Sequence, residues 1–181
     1  MEVRFNGVRE DFDYRRIVHE LLQNNYRDLP NKFLFITIRL TDDPHNLYMG
    51  VGGVRVPRTW GWSPHFYELN GTITEEFLNN ENLESILKGA LGHEFSHIAK
   101  GHAGGFKVSF LDLLGHIPRI GKRIEKLVEE AKEKAADRET IRRGLGPELY
   151  LAKLYAETIG VPISGYTSER IQSLLPMKTP Y

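Results

Sequence analysis

His93, Glu94 and His97 fall within the run LGHEFSHIAKGH, residues 91–102. On a helix, residues four apart differ by about 40° around the axis and stand one turn above each other, so His93 and His97 can aim two imidazoles at one point. Such a pair makes half of a metal site. Glu94 lies about 100° from His93 on the same wheel, too far round to ligate comfortably but within reach of a water on that metal. Its expected role is general base, and the expected chemistry is metal-assisted hydrolysis. Leu87, Leu91, Phe95 and Ile98 recur at helical spacing on the other side. That face should be buried, with the histidines lining a cleft.

The 181-residue chain contains no cysteine. Disulfides and thiolate ligands are therefore both excluded, and a metal must use histidine and carboxylate. Lys plus Arg and Asp plus Glu number 24 each, which leaves no net field to attract nucleic acid or an anionic membrane. The length suits one domain, 1–181, with a core that needs no staples. No stretch approaches about 18 uncharged apolar residues, and the start, MEVRFNGVRE, has neither a signal-peptide run nor transit-peptide character. A soluble cytoplasmic protein without a transmembrane segment is expected. Nothing in the sequence specifies an oligomeric state.

The remaining elements must position these side chains. Tyr14, Ile17, Val18, Leu21 and Leu22 predict a helix within 11–28, stopped before Pro30. FLFITIRL, 33–40, and YMGVGGVRV, 48–56, read as strands. Residues 57–70 read as an aromatic loop whose Trp60 and Trp62 either rim a substrate cleft or pin the loop to the core, and His65 is not taken as a ligand. A short strand at Gly71–Thr74 should lead to the histidine helix, which begins near Leu83 and ends at Gly104-Gly105. Residues 106–120 read as a lid or packed helix, too short to span a bilayer, with peripheral membrane contact as the lesser reading. A long helix is predicted over 121–144, with Ile124, Leu127, Val128, Ala131 and Ala135 as its apolar stripe and Gly144 as its cap. Another covers 148–159. The fold class expected is α+β: about three strands, the histidine helix beneath them, a glutamate-bearing helix, and helices at both ends.

A catalytic zinc usually takes three protein ligands and keeps an open position. A glutamate from a second helix would complete the set. Glu133 is favoured because Asp137, one turn on, could accept a hydrogen bond from a ligand histidine, while Ala135 and Ala136 allow close helix approach. Against it, Glu133 projects nearly opposite the apolar stripe, and by that criterion Glu129 or Glu130 serves as well.

The run TITEEFLNNENLESILKGALGHEFSHIAKGH, 72–102, resembles the gluzincins of the HtpX-like and CAAX-prenyl-endopeptidase-like group, in which a strand and polar turn lead into HExxH and a further Gly-His. The group's second helix carries Glu-x-x-Ala-Asp, matched in register by Glu133, Lys134, Ala135, Ala136 and Asp137. TSERIQSLLPM, 167–177, is similar to its downstream Arg-Ile-x-x-Leu segment. The resemblance spans about 71–177. It implies a zincin-like fold, Zn2+ held by His93, His97 and Glu133, and Asp137 as the outer partner of a ligand. His102 follows His93 by nine residues, not the ten of an HExxHxxGxxH site, and is not assigned as a ligand. The group's best-known members carry transmembrane helices that are not seen here, so the chain is similar to the small soluble minigluzincins.

A zinc endopeptidase acting on peptides or unfolded proteins is the function expected, with Glu94 as base. Tyr150, Tyr155, Tyr166 and Arg170 are open candidates to stabilise the oxyanion. The C-terminal LLPMKTPY could plug the cleft and make the enzyme latent. The alternative function is a catalytically silent scaffold that binds zinc and a protein partner in its cleft.

Overall fold

The computed structural model describes residues 2–6, 14–29, 33–40, 48–55, 65–102 and 121–176. Among the described residues four strands, β1 (Glu2–Asn6), β2 (Phe33–Leu40), β3 (Tyr48–Arg55) and β4 (His65–Ile73), lie in the order β1-β2-β4-β3. β2 runs parallel to both β1 and β4, and β3 closes the edge antiparallel to β4. The sheet thus has one strand more than expected. β4 is also longer than the predicted Gly71–Thr74 segment and takes in the end of the supposed aromatic loop. The reason is a period of two: Tyr67 and Leu69 are buried while Glu68 and Asn70 are exposed. Leu34, Ile36 and Ile38 of β2 bury the same way beside them, so one sheet face forms the core.

Six helices accompany the sheet among the described residues: α1 (Tyr14–Asn24), α2 (Glu75–Leu78), α3 (Leu83–Ala99), α4 (Gly121–Thr140), α5 (Gly146–Thr158) and α6 (Ser168–Leu174), with a π-helical turn, Ile141–Leu145, between α4 and α5. Thr74 caps α2, its hydroxyl accepting from the Phe77 amide at 3.1 Å. α3 is the central element, packed against α1, α4 and α5 and close to β3. Every residue from Leu91 to Ile98 is buried. Its glycines make this possible: a Cβ on Gly89 would stand 2.1 Å from the Glu148 carbonyl oxygen, so the backbones of α3 and α5 meet where no side chain fits.

A polar thread joins α3 to its neighbours below the histidines. The Tyr26 hydroxyl lies 2.5 Å from the Gly92 carbonyl oxygen and 2.8 Å from Ser96 Oγ, which lies 2.9 Å from Thr140 Oγ1. Burial pushes the Tyr26 phenol up to about 12, so it stays a neutral hydrogen-bonding group. Charge ties the same elements at their ends. Glu139, its side chain 3% exposed, receives Lys100 at 3.0 Å, Arg143 Nε at 2.8 Å and Arg142 Nε at 2.9 Å. Arg143 also reaches Asp28 at 2.6 Å and lies over the Tyr26 ring at 4.5 Å.

The Arg142 hydrogen bond, with those from Lys100 and Arg143, overcomes burial and holds the Glu139 carboxyl at about 2 instead of 4.5. A carboxylate with a depressed folded pKa adds stability that is complete above its unfolded value and is lost as pH falls through the folded one. The Glu139 contribution is therefore full above pH 4.5 and disappears as pH approaches 2. With Arg142 exposed to solvent screening, its size is on the order of 2 kcal/mol. Urea unfolding at pH 6 and pH 3 should show this loss in the parent chain. It should be smaller in Glu139→Gln by about that amount, and an identical pH slope in the two proteins would remove the network from the account.

α4 differs from its predicted orientation. Leu127 is 65% exposed and Ala131 is also exposed, whereas Ala136, Asp137 and Thr140 are buried, with Glu133 on the same side. At Leu127 and Ala131 the predicted stripe does not seat this helix. Polar contacts of Glu133 and Asp137 do, and the site supplies them.

Candidate metal centre

α3 and α4 cross so that His93, His97 and Glu133 offer three ligand atoms, all within 4.8 Å of one another. His93 Nε2 lies 3.1 Å from His97 Nε2 and 3.2 Å from Glu133 Oε2, and His97 Nε2 lies 3.3 Å from Glu133 Oε1. Two ring nitrogens and a carboxylate facing one another at these distances form a group that can hold a metal ion. Glu129 and Glu130, equal candidates by the helix wheel, are not in it; Glu129 pairs with Lys132 at 3.2 Å at the cavity beside the group, and Glu130 pairs with Lys134 at 2.6 Å.

Each imidazole is also held from behind. His93 Nδ1 lies 2.8 Å from Asp137 Oδ1, the place the sequence reading gave Asp137. Behind His97 stands His102, with the two Nδ1 atoms 3.2 Å apart. The end of α3 explains this contact. The helix stops at Ala99, short of the predicted Gly104-Gly105, and Gly101 takes a positive φ of 70°. The His102 amide then donates to the His97 carbonyl at 2.9 Å and the Gly101 amide to the Ile98 carbonyl at 3.0 Å. This pair of bonds is a Schellman motif, which folds the chain back on the last turn. His102 is outside the three-residue group yet touches a residue inside it. Were an ion held at His97 Nε2, the Nδ1 proton of His97 would be donated to His102 Nδ1 and His102 would carry its own proton on Nε2.

Electrostatics fit a cation between these groups. Burial opposes charge on His93, but the Asp137 and Glu133 carboxylates outweigh it and raise the imidazole to about 9. Burial likewise raises Glu133, and hydrogen bonds with His93, His97 and Ser164 reverse it, leaving the carboxyl well below its usual range. The centre thus favours a shared positive charge. His102 moves the opposite way, lowered by burial and by the neighbouring His97.

The group opens on a cavity of about 500 Å³. Glu94, itself buried, lines it beside His93 and His97. Most of the remaining wall is apolar: Ile73 and Phe77 from the sheet side, Ile86, Leu87 and Ala90 from α3, Ala152, Tyr155 and Ala156 from α5, and Val161, Pro162 and Ile163 beyond it. Of the four oxyanion candidates only Tyr155 is in this wall, its ring 5.1 Å from that of Phe77. Tyr166 instead contributes its backbone amide to Asp137, and Arg170 bonds Ser173 on its own helix. Lys153 and Ser164, neither singled out by motif or spacing, stand at the cavity next to Asp137 and Glu133. Trp60, Trp62, the 106–120 segment and the last residues of the tail, 177–181, lie outside the described residues.

The chain is thus an α+β protein built round a buried His-His-Glu group able to hold a metal ion. No helix among the described residues is long and apolar enough to cross a membrane. No protein-family model, curated protein or solved structure matches it.

Proposed function

We propose that the chain is a zinc-dependent endopeptidase with a zincin-like active site, in which His93, His97 and Glu133 hold the ion. The observation that carries the reading is Glu94: a buried carboxylate in the cavity wall next to the three-residue group. A site that used its metal only for structure would have no need of it. Zinc bound here would supply a Lewis acid that brings a water molecule's pKa toward about 7 and polarises a carbonyl. Glu94 would take the proton from that water and return it to the departing amine. Asp137 and His102 keep the two imidazoles aimed, with the His93 and His97 rings 4.7 Å apart.

Two further features suit a peptide. β3 forms the end of the sheet and lies close to α3, so an extended chain can pair with it through backbone hydrogen bonds. The apolar cavity beside Glu94 suits a bulky aliphatic or aromatic side chain next to the scissile bond. Unfolded proteins present both. Purified protein loaded with zinc should cleave denatured casein, lose that activity on chelation, and regain it when zinc is restored. Cleavage that persists after complete metal removal would contradict the proposal.

A further inference from the structure

We propose that Ser164 is a positioning residue for the metal centre, restricting Glu133 to ligation through one carboxylate oxygen. The inference rests on the reading of His93, His97 and Glu133 as a metal site and adds a residue outside its motifs. Ser164 Oγ donates to Glu133 Oε2 at 2.7 Å. That oxygen also lies 3.2 Å from His93 Nε2, while Oε1 lies 3.3 Å from His97 Nε2. A hydroxyl hydrogen bond draws electron density from Oε2 and occupies one of its lone pairs. Oε1 is left as the better donor. With both oxygens free, the carboxylate could chelate and fill the position that hydrolytic zinc keeps open for solvent.

The backbone that carries this exposed serine is itself held in place. Lys153, its side chain 11% exposed, donates to the Ser164 carbonyl at 2.7 Å and lies 3.3 Å from Asp137 Oδ1. Gly165 follows at a φ of +79°, and a Cβ there would stand 2.2 Å from Asp137 Oδ2. The Tyr166 amide then donates to the same Asp137 oxygen at 2.7 Å. Residues 164–166 therefore grip two carboxylates one turn apart on α4, the ligand through Ser164 and its neighbour through Tyr166. Glycine at 165 is what lets the strap come close enough to do both.

The test uses the full chain with cobalt as a spectroscopic substitute for zinc, beside Ser164→Ala and Ser164→Thr. Four-coordinate cobalt absorbs visible light strongly, and coordination by a fifth atom weakens the bands. Ser164→Ala should lower the visible absorption per bound cobalt, because the freed Oε2 becomes a fifth donor, and should bind the ion no more weakly than the parent. Ser164→Thr, which keeps the hydroxyl, should restore the parent spectrum, and the metal-free melting temperature should be the same in all three. An alanine variant with an unchanged spectrum would overturn the inference, as would a threonine variant that behaves like alanine. A parent chain that binds zinc but cleaves nothing would remove the peptidase reading and leave the Ser164 comparison standing. Failure of the parent chain to bind either metal would overturn both.

Discussion

Glu94→Gln is expected to retain one zinc per chain and to lose casein cleavage, with kcat reduced by about 10²- to 10⁴-fold, the usual contribution of a positioned general base. Glutamine matches glutamate in shape and hydrogen-bonding reach, so the buried position stays filled. It does not accept a proton from water near neutral pH. Glu94 lies outside the group of potential ligands, so metal content should not change. The pairing of these results matters. Lost activity with lost zinc would make Glu94 a structural support of the site, and full activity with full zinc would end its assignment as base.

Glu133→Ala should act on the other quantity. It removes the only carboxylate in the group and leaves two imidazoles to hold a divalent ion. Since loss of an outer-sphere partner alone costs about 10- to 100-fold in affinity, loss of the ligand should cost more than about 100-fold. The fold should survive. Asp137 still holds His93 at 2.8 Å, and the Tyr26, Ser96 and Thr140 thread still joins α3 to α4. A metal-free circular dichroism spectrum like that of the parent, with zinc binding gone, is the expected pair of results.

The convergence of the two imidazoles was legible in the sequence for a physical reason. His93 and His97 depend on helical spacing alone, and Asp137 lies one turn from Glu133 on another helix. Local geometry determines both relations, but it left Glu129 and Glu130 level with Glu133, and it took the resemblance to the Glu-x-x-Ala-Asp signature to single out Glu133. The orientation of α4 was not legible, because the wheel assumes that apolar area seats a helix. Leu127 is exposed while Asp137 is wholly buried, so hydrogen bonds to His93 and Tyr166 prevail over the stripe. β1 escaped notice as five residues in which Glu2 and Arg4 alternate with Val3 and Phe5, too short a pattern to stand out. His102 shows a third kind of gap. Its spacing excludes it as a ligand, but its contact with His97 depends on the left-handed turn at Gly101, and the sequence signal was that glycine just past the end of the helix. Ser164 meets Glu133 across 31 positions of chain and Lys153 meets Ser164 across 11. Only the tertiary fold brings such pairs together, so no local pattern announces them.

The central claim is that side chains from two helices converge on one ion. Zinc content by elemental analysis, measured after dialysis on the parent chain and on Glu133→Ala in parallel, tests it most directly. One zinc per parent chain and almost none in the variant is the result predicted. A parent chain that retains no zinc, or a variant that retains as much as the parent, would contradict it.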